Sequence, residues 1–242
     1  MLKNRAMMNR SFLWGFLLCL LSFPGFAATM PPVRMKVVDA QDGTPIAGAL
    51  VLFQGNAQEG TFTGHGGRLA NLFVVEAVTD DSGEFRLPQQ EFSPRPFFLS
   101  TNYHNPSMVV LKPGYALVIL SNTHRIIPNL EELTTWQYDN QTISMRRATT
   151  DSEMSHAVYW AATYADQTMG EMSICSWKKI PRFLLAVDRS AAEWNRKRAS
   201  VTDEALRRKT ASSPLQRLLM NDNYYIEKGC GSPKAFFEAY PR

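Results

Sequence analysis

Histidine and cysteine are scarce in this sequence, with four and three copies respectively among 242 residues. None of the histidines has glutamate three residues later, so the His-x-x-Glu pair that begins many zinc sites is missing. The chain also contains no Gly-x-Ser-x-Gly nucleophile elbow, no phosphate-binding loop and no Cys-x-x-Cys motif. These absences exclude the usual signatures of metallopeptidases, α/β-hydrolases, nucleoside triphosphatases and thiol oxidoreductases. No cofactor is expected from the motifs.

Acidic residues are missing before Asp39, and the first segment has the pattern of an export signal. Basic residues come first, and an uncharged apolar run follows over residues 12–21. Pro24 then leads to Gly25-Phe26-Ala27, which places small residues where signal peptidase cleaves. We expect cleavage between Ala27 and Ala28. The alternative is a membrane anchor, but the run has only half of the about 20 apolar residues that a spanning helix needs.

Excess charge of either sign is also missing once this segment is removed. Loss of Lys3, Arg5 and Arg10 leaves 23 basic residues against 22 acidic ones. Such a balance gives no electrostatic reason to expect nucleic acid as a partner. The sequence therefore predicts a periplasmic or secreted protein, without a transmembrane anchor after processing, whose partner is a protein or another envelope component.

The cysteines agree with an oxidising compartment. Cys19 belongs to the expected signal, which leaves Cys175 and Cys230 as one possible pair. A disulfide between them is the prediction. Two buried free thiols, or a redox role, are the alternatives.

Hydrophobic periodicity divides the chain near residue 150. Before this point, short runs rich in β-branched and aromatic residues alternate with turn residues, which is typical of an antiparallel β-sandwich. Asp42-Gly43 and Ser82-Gly83 provide turn geometry, and prolines at 94, 96, 106 and 113 are placed between strands. The expected strands are Arg34 to Val38, Ala49 to Phe53, Leu72 to Thr79, Glu84 to Leu87, Phe97 to Ser100, Met108 to Leu111, Ala116 to Leu120 and Thr142 to Met145.

After residue 150 the period becomes helical. Thr150 and Glu153 form a potential capping box, and apolar residues from Met154 to Met169 follow on one face. A second apolar stripe extends from Trp177 to Trp194, with the regular helix expected to begin at Pro181. Ser213-Pro214 and Ser232-Pro233 each predict an N-cap followed by proline at the first helical position. The predicted organisation is a signal at 1–27, a β-sandwich at 28–149 and a helical region at 150–242.

Three elements of the first half resemble the carboxypeptidase regulatory-like domain, a transthyretin-like or prealbumin-like sandwich. The residues over 37–51 resemble its opening strand, turn and Pro-x-x-Gly-Ala element. Thr79-Asp80-Asp81-Ser82-Gly83-Glu84-Phe85 is similar to its second signature, and Gly114-Tyr115 to its third. The resemblance covers residues 34–147. It implies a β-sandwich of seven or eight strands and a non-catalytic module that assists folding, docking or adhesion beside another domain. The helical region lies outside the resemblance, and together the two parts predict an α+β chain in which the sandwich precedes the disulfide-linked helices.

One departure from that family is the connection over residues 54–70. It contains five glycines and is longer than the family's usual connection. Long surface loops often carry function, but a flexible connector has the same composition.

Two arrangements of acidic residues have the composition of metal sites. Glu153 and His156 lie one helical turn apart, as in half of a di-iron ligand set, although the same spacing fits a surface pair. Asp80, Asp81 and Glu84 surround a glycine turn and, together with Asp39 or Asp42, have the oxygen ligands that calcium prefers. The turn also needs these residue types for its geometry alone.

Two functional hypotheses follow. The first is an exported, non-enzymatic module for protein docking, adhesion or envelope assembly, marked by an exposed apolar or aromatic patch near Tyr159, Trp160 and Tyr164 and by the lack of a deep polar pocket. The second is a hydrolase or glycan-binding protein with a site between the sandwich loops and the helices. That site would draw its side chains from His65, His104 and His124.

Overall fold

The computed structural model describes residues 28–59, 69–92, 101–122 and 133–241. The expected signal segment, including Ala27, lies outside these residues, as does the predicted strand Phe97 to Ser100. Ala28 is the first residue of the first described strand. The described part has the predicted α+β fold, with β-sheets before residue 150 and helices after it.

Nine strands occur in the described part, and they form three sheets. Strand β2 lies between β5 and β9 in a three-stranded sheet, and β4, β3, β7 and β8 form a four-stranded sheet in that order. β1 and β6 form a separate pair. All pairs are antiparallel except β2 with β9. The bounds are β1 Ala28–Met30, β2 Val33–Asp39, β3 Leu50–Glu59, β4 Leu69–Val78, β5 Glu84–Leu87, β6 Gln90–Phe92, β7 Thr101–Leu111, β8 Val118–Ser121 and β9 Thr142–Met145.

The two larger sheets enclose the first hydrophobic core. Side chains on one face of the four-stranded sheet, such as Val51 and Phe53, pack in one cluster with Val37 and Ile143 of the three-stranded sheet. Phe53 contacts the Trp136 ring edge-on at a centroid distance of 4.9 Å. This packing is the sandwich that alternating apolar residues predict.

The other face of the four-stranded sheet is covered by the helices. Leu50 and Leu52 belong to a second core with Trp177, Leu184 and other helical side chains. Because both faces of β3 are covered, its segment from Leu50 to Phe53 is apolar throughout and buried. The sandwich and the helices therefore share a core across residue 150.

Six α-helices and two 3₁₀ segments occur in the described residues. The predicted capping box is present, since the Thr150 side chain accepts from the Glu153 amide and the Glu153 side chain accepts from the Thr150 amide. Pro181, Pro214 and Pro233 each occupy the first turn of a helix, as predicted. The bounds are α1 Asp151–Thr168, α2 Pro181–Lys197, α3 Glu204–Arg208, α4 Pro214–Met220, α5 Asp222–Glu227 and α6 Pro233–Ala239, with 3₁₀ segments at Glu171–Lys179 and Arg198–Ser200.

The predicted disulfide is confirmed. Cys175 and Cys230 are bonded across a sequence separation of 55 residues. The bond joins the first 3₁₀ segment to the turn between α5 and α6. It therefore links two parts of the helical region that are distant in sequence, and the buried Trp177 lies two residues after Cys175.

Two sequence expectations need correction. Residues 54–59 and 69–70, assigned to a long connection, extend strands β3 and β4, so that only residues 60–68 separate the strands. Pro106, placed between strands, lies inside β7. Proline is accommodated there because the register of β3 against β7 shifts between Gln54 and Asn56, and such bulges tolerate a missing N–H.

None of the helices in the described part of the chain is both long and apolar enough to cross a membrane.

Candidate functional site

A well-formed depression among the described residues lies between helix α1 and the extended segment 209–212. Its volume is about 500 Å³. We call it the aromatic groove and define it by Ser152, Ser155, His156, Tyr159, Trp160, Ala162, Thr163, Asp166, Trp194 and residues 209–212.

Helix α1 presents its aromatic side chains to the groove because its opposite face is buried. Val158, Ala161 and Ala165 pack into the cores beneath the helix. Tyr159 is consequently directed outward and is 62% exposed. It meets the Trp160 ring edge-on, with the ring centroids 5.4 Å apart.

The two other aromatic side chains of α1, His156 and Tyr164, differ in position, since His156 lines the groove and Tyr164 does not. The His156 ring lies 6.0 Å from the Trp160 ring, so this histidine extends the aromatic surface by one turn. Tyr164, which the sequence grouped with Tyr159 and Trp160, is only partly exposed and packs against the second core. Burial raises the pKa of its hydroxyl. Tyr159 and His156 are therefore the exposed members of the aromatic face, whereas Trp160 is half-buried and lines the groove beside them.

The opposite wall of the groove is an extended segment held by side chains of α2. The Asn195 amide donates to the Ala211 carbonyl and accepts from the Ala211 N–H, each at 3.0 Å. The Trp194 indole N–H donates to the Lys209 carbonyl at 2.9 Å. A side-chain amide thus pairs with the segment in the way that a neighbouring strand would.

Charges in the groove are partly neutralised. Arg217 of α4 forms two hydrogen bonds with the carboxylate of Asp166, so that this acidic residue is paired. Within the described residues, Lys209 makes no ion pair. The lining therefore has one uncompensated positive charge.

Glu153, considered above as half of a metal site with His156, is used as a helix cap. Its carboxylate accepts from the backbone N–H groups of Thr149 and Thr150 and pairs with Arg146 at 2.6 Å. The backbone hydrogen bond from Thr149, followed by the interaction with Arg146, lowers the pKa of Glu153 to about 2. The carboxylate is thereby directed to the start of α1.

The acidic turns of the sandwich also use their carboxylates locally. Asp80 accepts from the N–H groups of Ser82 and Glu84 within its own turn, each at 2.9 Å. Asp42 likewise accepts from the N–H and the hydroxyl of Thr44. Across the described ranges, no three His, Cys, Asp or Glu side chains come together as metal ligands would.

The carboxylate of Asp39, by contrast, joins separate parts of the chain. It is almost fully buried and accepts from the Gln41 N–H at 2.8 Å, the Tyr115 hydroxyl at 2.9 Å and Arg147 Nε at 2.9 Å. The Gln41 hydrogen bond, and then those from Arg147 and Tyr115, hold the pKa of Asp39 below its usual range. The carboxylate thereby ties the end of β2 to the turn before β8 and to the chain after β9.

Of the histidines in the second functional hypothesis, only His104 belongs to the described residues, and it does not line the aromatic groove. His104 lies on β7 opposite Asn56 and is exposed. His65 and His124 lie outside the described residues. The mark of that hypothesis, at least two of these histidines beside a carboxylate in one cleft, is not tested by the described residues.

Sequence reasoning did not identify Trp194, Asn195 or segment 209–212 as parts of a site. Trp194 was assigned to core packing, which holds for its ring, since the residue is 3% exposed. Its indole N–H and the Asn195 amide act on a segment about 15 residues away in sequence, and no local pattern marks such a pairing. The serine, threonine and lysine of that segment have the composition of an ordinary linker.

Comparisons with known proteins give no relative by sequence. No family model matches the chain, and no curated protein matches it. The resemblance to the carboxypeptidase regulatory-like domain therefore stays a prediction.

Several solved structures align with about half of the chain. They include a streptococcal ancillary pilin, with 13% identity, a TM-score of 0.25, and coverage of 50% of this chain and 30% of the pilin. The 3-chlorocatechol 1,2-dioxygenase of Rhodococcus opacus 1CP aligns with 14% identity, a TM-score of 0.29, and coverage of 52% and 62% respectively. The C-terminal domain of a shaft pilin from Lactobacillus rhamnosus GG aligns with 11% identity, a TM-score of 0.23, and coverage of 51% and 99%. TM-scores this low do not establish a common fold, and the alignments carry no argument about function.

Proposed function

We propose that this chain is an exported, non-enzymatic binding module that docks a partner protein in the aromatic groove. The observation that carries the proposal is the exposure of Tyr159 beside Trp160 at the edge of a groove of about 500 Å³. Exposed tyrosine and tryptophan supply a large contact area at low conformational cost, and they are enriched at protein interfaces.

The construction of the groove also supports docking. Its two walls are fixed relative to each other, because Arg217 of α4 pairs with Asp166 of α1 and the α2 side chains hold segment 209–211. A groove with fixed walls loses little conformational entropy when a partner binds. The disulfide further restrains the helical region that carries both walls.

Site-specific photocrosslinking tests this proposal in cells that naturally produce the chain. A benzophenone amino acid replaces Tyr159 in one variant and Tyr224 in a control, since Tyr224 is also an exposed tyrosine but lies on α5, outside the groove. We expect a discrete protein adduct from position 159 only, and its loss when Trp160→Ala is added. Unfolding of each purified variant in urea verifies that it is folded.

Two results would overturn the proposal. One is an equal adduct pattern from positions 159 and 224, because the crosslinks would then report general surface collisions. The other is the failure of position 159 to crosslink while the purified protein binds oligosaccharides on a glycan array, which would support a glycan-binding function instead.

A further inference from the structure

The wall segment of the aromatic groove has the backbone geometry of an unpaired strand edge. The first residue of the segment, Lys209, and the residue directly after it, Ser213, are both extended, with φ and ψ of −75° and 101° at Lys209 and of −101° and 111° at Ser213. In an extended chain the backbone groups of successive residues point to opposite sides. Ala211 directs both of its groups to Asn195 of α2. Thr210 and Ser212 therefore direct theirs away from α2.

The backbone groups of these two residues are available for pairing. Thr210 and Ser212 line the groove and are exposed. In the portion of the chain that the structure describes, their N–H and C=O groups make no hydrogen bond. Unpaired backbone groups along an extended segment are a template for an additional strand.

The charged side chains at the groove indicate whether its occupant carries positive or negative charge. Asp166 is compensated by Arg217, whereas Lys209 has no ion-pair partner within the described ranges. Arg207, two residues earlier on α3, is also exposed and makes no ion pair among the described residues. An occupant that carries a carboxylate next to the segment would compensate this excess.

From these observations we infer that the groove binds an extended peptide segment of a partner protein, which pairs through its backbone with Thr210 and Ser212. An apolar or aromatic side chain of the peptide contacts Tyr159 and Trp160, and an acidic side chain contacts Lys209. This inference rests on the proposed docking function and names the chemistry of its partner. Hydrogen bonds of the peptide backbone supply the affinity in this mode of binding. Only every second side chain of the peptide contacts the groove, so only these positions require a particular residue type.

The probe is a phage-displayed library of random 12-residue peptides, selected against the purified full-length chain. We expect enrichment of peptides with an apolar residue and an acidic residue, which bind the protein in solution by calorimetry. N-methylation of the selected peptide removes one backbone donor at a time. Binding should weaken about tenfold when alternate residues are methylated, and remain unchanged at the intervening residues.

Protein variants provide the matching evidence. Thr210→Pro removes one donor of the proposed edge, and its preceding residue already has a conformation that proline permits. Thr202→Pro is the control, since this threonine is also exposed, lies outside the groove and follows Val201 with φ of −73° and ψ of 130°. We expect Thr210→Pro alone to weaken peptide binding about tenfold, and Lys209→Met to abolish the preference for an acidic residue.

The outcomes separate this inference from the docking function on which it rests. Failure to enrich any peptide, or binding that is insensitive to N-methylation at every position, overturns the extended-peptide inference. In both cases a crosslink from position 159 that depends on Trp160 would still support docking of a folded partner. Loss of that crosslink overturns both.

Discussion

The carboxylate of Glu76 on β4 accepts a hydrogen bond from the backbone N–H of Phe183 at 3.0 Å, and another from Arg182 at 3.2 Å. Phe183 lies in the first turn of α2, where backbone N–H groups have no partner within the helix. The N-cap residue Ile180 provides no side-chain hydrogen bond. A sheet residue therefore replaces the usual N-cap and fixes where α2 packs on the four-stranded sheet.

Substitution of Glu76 tests this cap. Glu76→Ala should lower the free energy of unfolding by about 1–2 kcal/mol, because it removes the acceptor for two helix N–H groups. Urea unfolding followed by circular dichroism measures the change. The exposed Glu193→Gln on the same helix is the control, and an equal loss there would contradict the capping role.

The pH dependence of the same residue has a defined sign. Burial raises the pKa of Glu76 above its ordinary value of 4.5. The stability that this shift contributes is present below pH 4.5 and is lost as the pH rises through the raised pKa. The stability of the unmodified protein relative to Glu76→Gln should therefore decrease as the pH rises across this window. A constant difference between the two proteins would contradict the shift.

Glu153 should show the opposite dependence. Its folded pKa is about 2, below the ordinary value of 4.5. Its contribution is present above pH 4.5 and is lost as the pH falls towards 2. The stability advantage of the unmodified protein over Glu153→Gln should accordingly shrink between pH 4.5 and pH 2, as measured by thermal unfolding. If the advantage grew on acidification, the capping-box interaction would not be its source.

Alanine substitutions at Gly83 and Gly43 distinguish the stability cost of backbone strain from the cost of a steric clash. Both have positive φ, +73° and +74° respectively. A Cβ atom at Gly83 would lie 2.4 Å from the Val37 carbonyl oxygen, whereas one at Gly43 would contact nothing within 4 Å. Gly43→Ala should cost about 1–2 kcal/mol from its left-handed conformation alone. Gly83→Ala should cost clearly more in the same urea titration, and equal losses would contradict the close approach.

The disulfide should be a major contributor to stability. For a separation of 55 residues, the loop-entropy model predicts about 4 kcal/mol. The Cys175→Ala, Cys230→Ala double variant should lose about that amount, and a reducing agent should then have no further effect on it. A loss well below about 1 kcal/mol would indicate that helix packing on the sheet restrains the chain without the bond.

Hydrogen exchange measured by NMR tests the backbone of the groove wall directly. The Ala211 amide should exchange slowly because Asn195 accepts its hydrogen bond, whereas the Thr210 and Ser212 amides should exchange rapidly. Asn195→Ala should bring Ala211 to the rate of its neighbours. Asn221→Ala, which removes a side-chain hydrogen bond to Arg217, is the control and should leave Ala211 slow. Protection of Thr210 in the unmodified protein would mean that the edge is already paired.

The sequence by itself determined the features that depend on nearby residues. Alternation of apolar residues located most strands, the Thr150–Glu153 spacing fixed the start of α1, and proline after serine fixed the starts of α4 and α6. The disulfide followed from counting two cysteines outside the expected signal segment. Each of these rests on local stereochemistry or on simple exclusion, so distant contacts were not needed.

Only the tertiary structure decided which surfaces meet. The burial of both faces of β3, the cap that Glu76 provides for α2 and the pairing of Asn195 with Ala211 join residues from different elements. Their side chains are ordinary at the level of sequence, because the same amide or carboxylate serves equally well on an exposed surface. The aromatic groove arises from these contacts, which hold a linker-like segment opposite Tyr159 and Trp160.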